Sequence, residues 1–413
     1  MKRLAFAVLL GCGARTGLEV TELPDAELPA IDAGLDAKSD GGIPDRGPQI
    51  AVDLSTICFR KDGALSCWGW NGVGCVGDGT RENRYTPTLL QSLSRTVEIA
   101  TDDGHLCARR DDGTVRCWGN NTAAELGIGT VGSADAGADA AGVPVPTQVV
   151  GITDAVQLSN HGAGRASCAK RRDGGYSCWG NQYLGVLPGL EEKTYAVPVD
   201  VPALRGADMV DMGDTFTCAL FPGGGVQCTG WNRYGELGDG TLPSLGLTPS
   251  TVSFRNGLGP VVGITGAVDI ALGFGAGYAL MPDGSVRWWG SVFVPGPIVT
   301  EQHLTAVPLG LTGVVQIAAA GGHFCARMQD STLQCRGANH AGQLGDGTLT
   351  WRTAMAPVAG LNDVVDFALG SQNTCAIVKS GKVYCWGENR FGQMGNGTSG
   401  PPQLTPTMVT GLP

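Results

Sequence analysis

The chain has 413 residues, of which 66 are glycine and only 16% are charged, and its formal charge is −10. So little Lys, Glu and Arg excludes long exposed helices and points to a turn-rich all-β protein. The negative balance, with no Lys/Arg cluster, excludes a duplex-binding surface, which needs a basic face to displace counterions from phosphates.

Residues 1–12, MKRLAFAVLLGC, open with basic residues and a short apolar run and end on Leu9-Leu10-Gly11-Cys12. This pattern resembles the lipobox of bacterial lipoproteins, and the resemblance implies export and a lipid on Cys12; a plain signal peptide is the alternative. Residues 13–48 hold eight acidic and three basic residues, are rich in Ala, Pro and Gly, and contain no aromatic side chain. They cannot bury enough apolar surface to offset ordering entropy, and read as a disordered acidic tether.

From residue 49 to 413 the chain is periodic. A glycine recurs at Gly69, Gly119, Gly180, Gly230, Gly290, Gly337 and Gly387, behind a hairpin carrying paired cysteines. Such a period marks a repeat architecture. The pairs are Cys58 and Cys67, Cys107 and Cys117, Cys168 and Cys178, Cys218 and Cys228, Cys325 and Cys335, Cys375 and Cys385. In the fifth unit Tyr278 and Trp288 hold both positions, a joint loss that argues for bonded pairs. Zinc is disfavoured, because ligand pairs normally sit two to four residues apart and no His accompanies each pair. Disulfides in turn imply an oxidising compartment.

The hairpin register follows by arithmetic. If Cys375 faces Cys385, the loop is Lys379-Ser380-Gly381, whose last residue must be left-handed. Gly113, Gly174, Gly224 and Gly284 take that place in other units and Ser331 departs from it. The closer Cys58/Cys67 pair leaves the two-residue turn Asp62-Gly63 with the same register. Each bond closes a short loop and should contribute about 2 to 3 kcal/mol.

Each unit divides into an apolar run such as VVDFALG (364–370), the two hairpin arms, a WGxN step with a glycine loop, and a fourth segment such as APVAGL (356–361). Seven four-stranded units predict a seven-bladed β-propeller with an intra-blade disulfide in six blades. The first unit has no PxxVxGL segment before it, so the C-terminal segment 405–412 is expected to join the first blade. The loop runs WNRYGELGDGT (231–241), ANHAGQLGDGT (338–348) and ENRFGQMGNGT (388–398) resemble the regulator of chromosome condensation repeat, and the resemblance covers about 49–413. The third and fifth units have lost most of this loop. Propellers of that family serve as exchange factors for a small GTPase, chromatin binders, an inhibitor of β-lactamases and a light sensor, so the resemblance implies the fold and leaves function open.

Candidate chemistry is sparse. His105 and His323 share a repeat position and are expected to shape a strand entrance, while His161, His303 and His340 are scattered without a nearby nucleophile arrangement. The GDGT and GNGT runs lack the carboxylates of a calcium loop and read as turns. Asn71, Asn121, Asn232, Asn339 and Asn389 should bond local backbone. Cys75, without a partner, replaces the Gln or Glu of the loop motif and is expected at a surface loop. Within W-G-x-N-x-x-G the variable positions carry Trp70, Tyr183, Trp231, Arg233, Tyr234, His340, Arg390 and Phe391, residue types that dominate binding hot spots.

The expectation is a monomeric, surface-anchored propeller that binds a protein or surface polymer, with no catalysis, cofactor, metal or nucleic acid, and membrane contact only through the lipid. An extracellular lyase or hydrolase with chemistry assembled across blades is the alternative, and exchange-factor activity is disfavoured by disulfides and export. Cys12→Ser should move the protein out of the membrane fraction without stopping its synthesis; unchanged partitioning with an unmodified mature N-terminus would contradict lipidation.

Overall fold

The computed structural model describes residues 47–53, 55–102, 104–133, 141–159, 165–182, 185–242, 254–293 and 299–412. Cys12, the leader, nearly all of the tether, His161 and Tyr183 lie outside the described residues.

The strands form seven four-stranded antiparallel sheets, each in chain order. Blade 1 runs from the strand Gln49–Val52 to Arg84–Leu89, blade 2 from Thr96–Asp102 to Gly142–Gln148, and blade 3 from Ala155–Ser159 to Thr194–Asp200. Blade 4 runs from Met209–Met212 to Phe254–Pro260, blade 5 from Asp269–Leu272 to Val299–Pro308, blade 6 from Val314–Ala320 to Arg352–Pro357, and blade 7 from Val364–Leu369 to Gly400–Met408. The first strands contact one another in sequence, and that of blade 7 touches that of blade 1, so the array is a closed seven-bladed β-propeller.

The hairpin arithmetic holds. All six cysteine pairs face across strands two and three and are bonded, with Cα atoms 4.1 Å apart. Tyr278 faces Trp288 at the same site, with ring centroids 6.3 Å apart. Ser331 takes the left-handed conformation its glycine counterparts adopt (φ 64°), and Asp62 and Gly63 are both left-handed (φ 50° and 74°) as a two-residue turn requires.

Two expectations are corrected. The C-terminal strand pairs with blade 7, Tyr384 facing Met408 and Cys385 facing Thr407, and does not enter blade 1. The segment after each loop is that unit's own fourth strand, and Arg84–Leu89 fills this role in blade 1. The fourth strand also lies upstream of the V-x-G-L residues, which turn under the blade: Val358 and Leu361 are buried in the core after the strand Arg352–Pro357 ends.

The ring is joined through the glycine loops. In five blades the tryptophan behind the second cysteine, or in blade 5 behind Trp288 at the same place, donates its indole Nε1–H to a backbone carbonyl in the preceding blade. The pairs are Trp68 to Gln393, Trp118 to Cys75, Trp179 to Glu125, Trp289 to Glu236 and Trp386 to Gln343, at 2.7–2.9 Å. The acceptor is always the loop residue that reads Gln, Glu or Cys. Beside it, the second glycine of GxGT donates to the fourth strand of the next blade: Gly79 to Pro144, Gly129 to Ala196, Gly240 to Leu304, Gly347 to Leu404 and Gly397 to Tyr85. The Trp68–Gln393 and Gly397–Tyr85 bonds seal the first blade to the last. Gly77 (φ +81°) explains the small residue at the centre of this clasp, since a Cβ there would stand 2.6 Å from the Trp118 indole nitrogen.

The disulfides belong to the same interfaces. Each lies on the blade face that packs against the next blade, as where Cys107 and Cys117 meet Leu158, Ala169 and Trp179. Trp118→Phe removes one indole N–H and leaves the Cys75 carbonyl buried without that donor. We expect a loss of about 1–3 kcal/mol in urea unfolding, and an unchanged midpoint would contradict the clasp.

Candidate functional site

The 1–2 turn and the 3–4 loop of every antiparallel blade emerge at the same end of the sheet, so the 3–4 loops of all seven blades start on one face. Their backbone is fixed before any partner arrives. The first variable residue donates its N–H to the 1–2 turn of its own blade in all seven units, for example Trp70 to Ser55, Trp231 to Thr215 and Glu388 to Gln372. Gly69, left-handed at φ +105°, permits this, because a Cβ would run into the Ser55 carbonyl oxygen.

The repeated polar residues finish the scaffold. The Asn339 side-chain oxygen accepts the Leu344 N–H at 2.9 Å and its amide donates to the Thr348 carbonyl at 3.0 Å; Asn71, Asn121 and Asn232 do the same in their loops, and Asn389 accepts the Met394 N–H. The loop glutamine turns back on itself, Gln393 accepting the Phe391 N–H at 2.9 Å. In GDGT, Asp78 accepts from the Thr80 N–H and hydroxyl and pairs with Arg84 at 2.6 Å. Asp239 pairs with Arg255 and Asp346 with Arg352 in the same way. These bonds hold the three carboxyls below their ordinary range against the opposing effect of burial. The aspartates are turn-formers whose charge is already neutralised.

The remaining side chains are those that vary. Trp70, Trp231, Tyr234 and Phe391 are half-buried, while Arg233, His340 and Arg390 are exposed. Trp70 and Phe391, from blades 1 and 7, meet with ring centroids 6.5 Å apart. They line a depression of about 500 Å³ together with Val73, Ala141 and Arg165. The others form separate local pairs: the Arg233 guanidinium lies 5.4 Å from the Tyr234 ring centre in blade 4, and His340 stacks on Trp351 at 5.8 Å in blade 6. Val73 is a variable position of the Trp70 loop and was visible in the repeat frame. Arg165 comes from a 1–2 turn, which has no repeated motif to flag it.

Cys75 is corrected: it is fully buried, with its thiol 3.1 Å from the Gly104 carbonyl, because the loop position it occupies is the inter-blade clasp and not free surface. Burial, with Asp53 adding to it, pushes the thiol well above its ordinary range. His105 and His323 do stand at strand entrances, where they bridge blades. Their Nε2 atoms lie 2.8 Å from the Ser167 hydroxyl and 3.1 Å from the Thr374 hydroxyl, and burial pushes His323 down to about 3.

The hub holds the carboxylates that bear on a hydrolase. Asp269 is pushed up to about 7, mainly by burial and further by Asp211. Yet Asp211 accepts the Leu272 N–H of the next blade at 2.7 Å, and Asp269 accepts the Ile270 N–H at 2.9 Å. Asp366, also raised by burial, accepts the Gln316 amide at 2.7 Å. The Asp211 and Asp366 contacts pin neighbouring blades at the hub, whereas Asp269 bonds within its own strand.

Comparison with known proteins agrees with the repeat. The regulator of chromosome condensation (RCC1) repeat matches residues 98–123 and 364–393 in one family model and 62–109 and 380–413 in another. The chain is 26% identical to the ultraviolet-B receptor UVR8 of Arabidopsis thaliana over 57% of its own length and 51% of that protein. It is 26% identical to the E3 ubiquitin-protein ligase HERC2 of Homo sapiens over 72% of its length and 6% of that protein. It thus spans about half of the first relative and a small part of the second. The crystal structure of Prp20p from Saccharomyces cerevisiae shares the fold, with TM-score 0.69 at 20% identity over 90% of this chain and 88% of that one.

The clasp also carries a pH signature. Glu236 occupies the position held by Gln343 and Gln393, and burial pushes its carboxyl up to about 7. A raised carboxyl favours the fold while protonated, so its contribution is complete below about pH 4 and is lost as pH rises through about 7. Glu236→Gln should therefore match wild type near pH 4 and be more stable by about 2–3 kcal/mol at pH 8 in denaturant titrations. Equal stability at both pH values would contradict this.

Proposed function

We propose that this RCC1-like propeller is an exported bacterial protein, held at the cell envelope by a lipid on Cys12, that binds a protein partner on its loop face and performs no catalysis. The observation that carries this reading is the division of labour in the loops. Every repeated residue is consumed by the scaffold, whereas the variable positions include the aromatic and cationic side chains of Trp70, Trp231, Arg233, Tyr234, Arg390 and Phe391 on a rigid backbone. Such groups combine large apolar area with charged donors and lose little entropy on binding. Six disulfides fit an oxidising compartment. The Cys12 anchor rests on its sequence pattern alone.

Binding should concentrate in few residues. Trp231→Ala and Arg390→Ala should each weaken capture of the partner by the full chain at least tenfold, with little change in thermal stability. Both quantities are to be measured on the same samples. Unfolding of the variants would assign these side chains to blade packing; unchanged stability and unchanged binding would move the functional surface elsewhere.

A further inference from the structure

We propose that His323 is an acid-sensitive latch on the joint between blades 6 and 7: with a neutral ring it holds the Thr374 hydroxyl on the clasp carbonyl, and taking up a proton releases that joint. The Gln343 carbonyl at this seam receives two donors from blade 7, the Trp386 indole N–H at 2.9 Å and the Thr374 hydroxyl at 2.8 Å. The His323 Nε2 lies 3.1 Å from the same hydroxyl. A hydroxyl has one proton, and here it goes to Gln343, so Nε2 must carry the ring proton and donate to the hydroxyl oxygen. Nδ1 is therefore the bare nitrogen, and it makes no hydrogen bond.

The arrangement recurs as a unit. Between blades 2 and 3 the His105 Nε2 lies 2.8 Å from the Ser167 hydroxyl, which donates at 3.2 Å to the Glu125 carbonyl, the acceptor of the Trp179 indole at 2.7 Å. The other three clasped seams have neither half. Ile57, Leu106 and Gly277 take the place of the hydroxyl residue opposite the tryptophan, and Asn373, Thr56 and Phe216 take that of the histidine opposite the glycine. Closure of a seam thus does not need the relay.

What the relay adds is a titrating group sealed inside a joint. His323 is 3% exposed, and the groups packed around it are Ala320 on the first strand, Gly337 on the third, Thr374 of blade 7 and, across a small cavity, Tyr278 of blade 5. Among the described residues the titratable groups facing the ring are the Tyr278 phenol and His340 of the same blade's loop, whose charge opposes protonation. Burial is the dominant effect and, with His340, outweighs the Ala320 carbonyl, which favours a second ring proton; together they push the ring down to about 3. The unfolded ring titrates near ~6.5. The latch is therefore fully closed above that range and is lost as pH falls toward about 3, with the opening constant rising about tenfold per pH unit because opening takes up one proton. Glu236 at the seam between blades 4 and 5, and Asp366 at the hub end of the seam between blades 6 and 7, have raised carboxyls and respond in the opposite sense.

The test compares urea unfolding of the full chain with that of His323→Gln, whose amide can donate to Thr374 but does not titrate, at pH 7 and pH 5. The unfolding constant of wild type relative to the variant should rise at least tenfold over that interval, and taking the ratio removes the responses of Glu236 and Asp366. A second measurement does not depend on the variant folding: nitrogen-15 shifts of the His323 ring in the folded wild-type protein should show a neutral Nε2–H tautomer at both pH values. Thr374→Val takes away the acceptor of that proton and should move it to Nδ1, toward the Ala320 carbonyl. A constant ratio, a ring that charges near its ordinary ~6.5 in the folded protein, or an Nδ1–H tautomer in wild type would each overturn the latch.

Discussion

The hydrogen bond from a buried indole to a carbonyl of the preceding blade is the constraint on which the rest of this structure depends. A propeller blade cannot bury both of its faces alone, so neighbouring blades must be held in register. Here one side chain sets that register. The indole reaches the loop carbonyl only if the loop is tightly folded, which the asparagine and the left-handed glycines secure, with a returning glutamine or glutamate adding its own bond in four of the five loops. The loop motif is therefore one half of an inter-blade joint whose other half lies in the next repeat.

This pairing accounts for the irregular units. Where the third unit has lost its loop, blade 4 has Thr229 in place of tryptophan, and the seam is rebuilt by the Thr229 hydroxyl at 2.9 Å from the Gly185 carbonyl and by Asn256 bonded to Gly189 and Leu190. Where the fifth unit has lost its loop, blade 6 has Arg336 in place of tryptophan. That seam is packed instead by Tyr278 stacked on Phe324 at 4.0 Å and by the Arg336 guanidinium 4.5 Å from the Trp288 ring centre. Blade 5 is also the blade without a disulfide, so aromatic stacking replaces two devices at once. Acceptor and donor disappear together because neither stabilises anything without the other.

The same joint explains how much could be read beforehand. Facing residues in a hairpin are a local matter of counting, so the cysteine register and the left-handed Ser331 were legible. The place of the C-terminal strand was not, because pairing within blade 7 and closure onto blade 1 use the same segment, and the sequence of one unit does not say which strand ends it. Cys75 was misread for a related reason: its loop looks exposed within its own unit, and the next blade, with Trp118 and the Gly104 carbonyl, covers it. The variable aromatic and cationic positions were legible as a set because they interrupt a repeated frame. That Trp70 and Phe391 share a depression while Tyr234 and His340 stand apart depends on blade order around the axis, which no single repeat encodes.

The account makes one direct demand on the nine tryptophans. With nitrogen-15-labelled indoles, hydrogen exchange should show Trp68, Trp118, Trp179, Trp289 and Trp386 protected to the limit of global unfolding, while the half-buried Trp70 and Trp231 exchange rapidly. If the five clasp indoles exchange as fast as Trp70 and Trp231, the blades are not held by these bonds and the account fails.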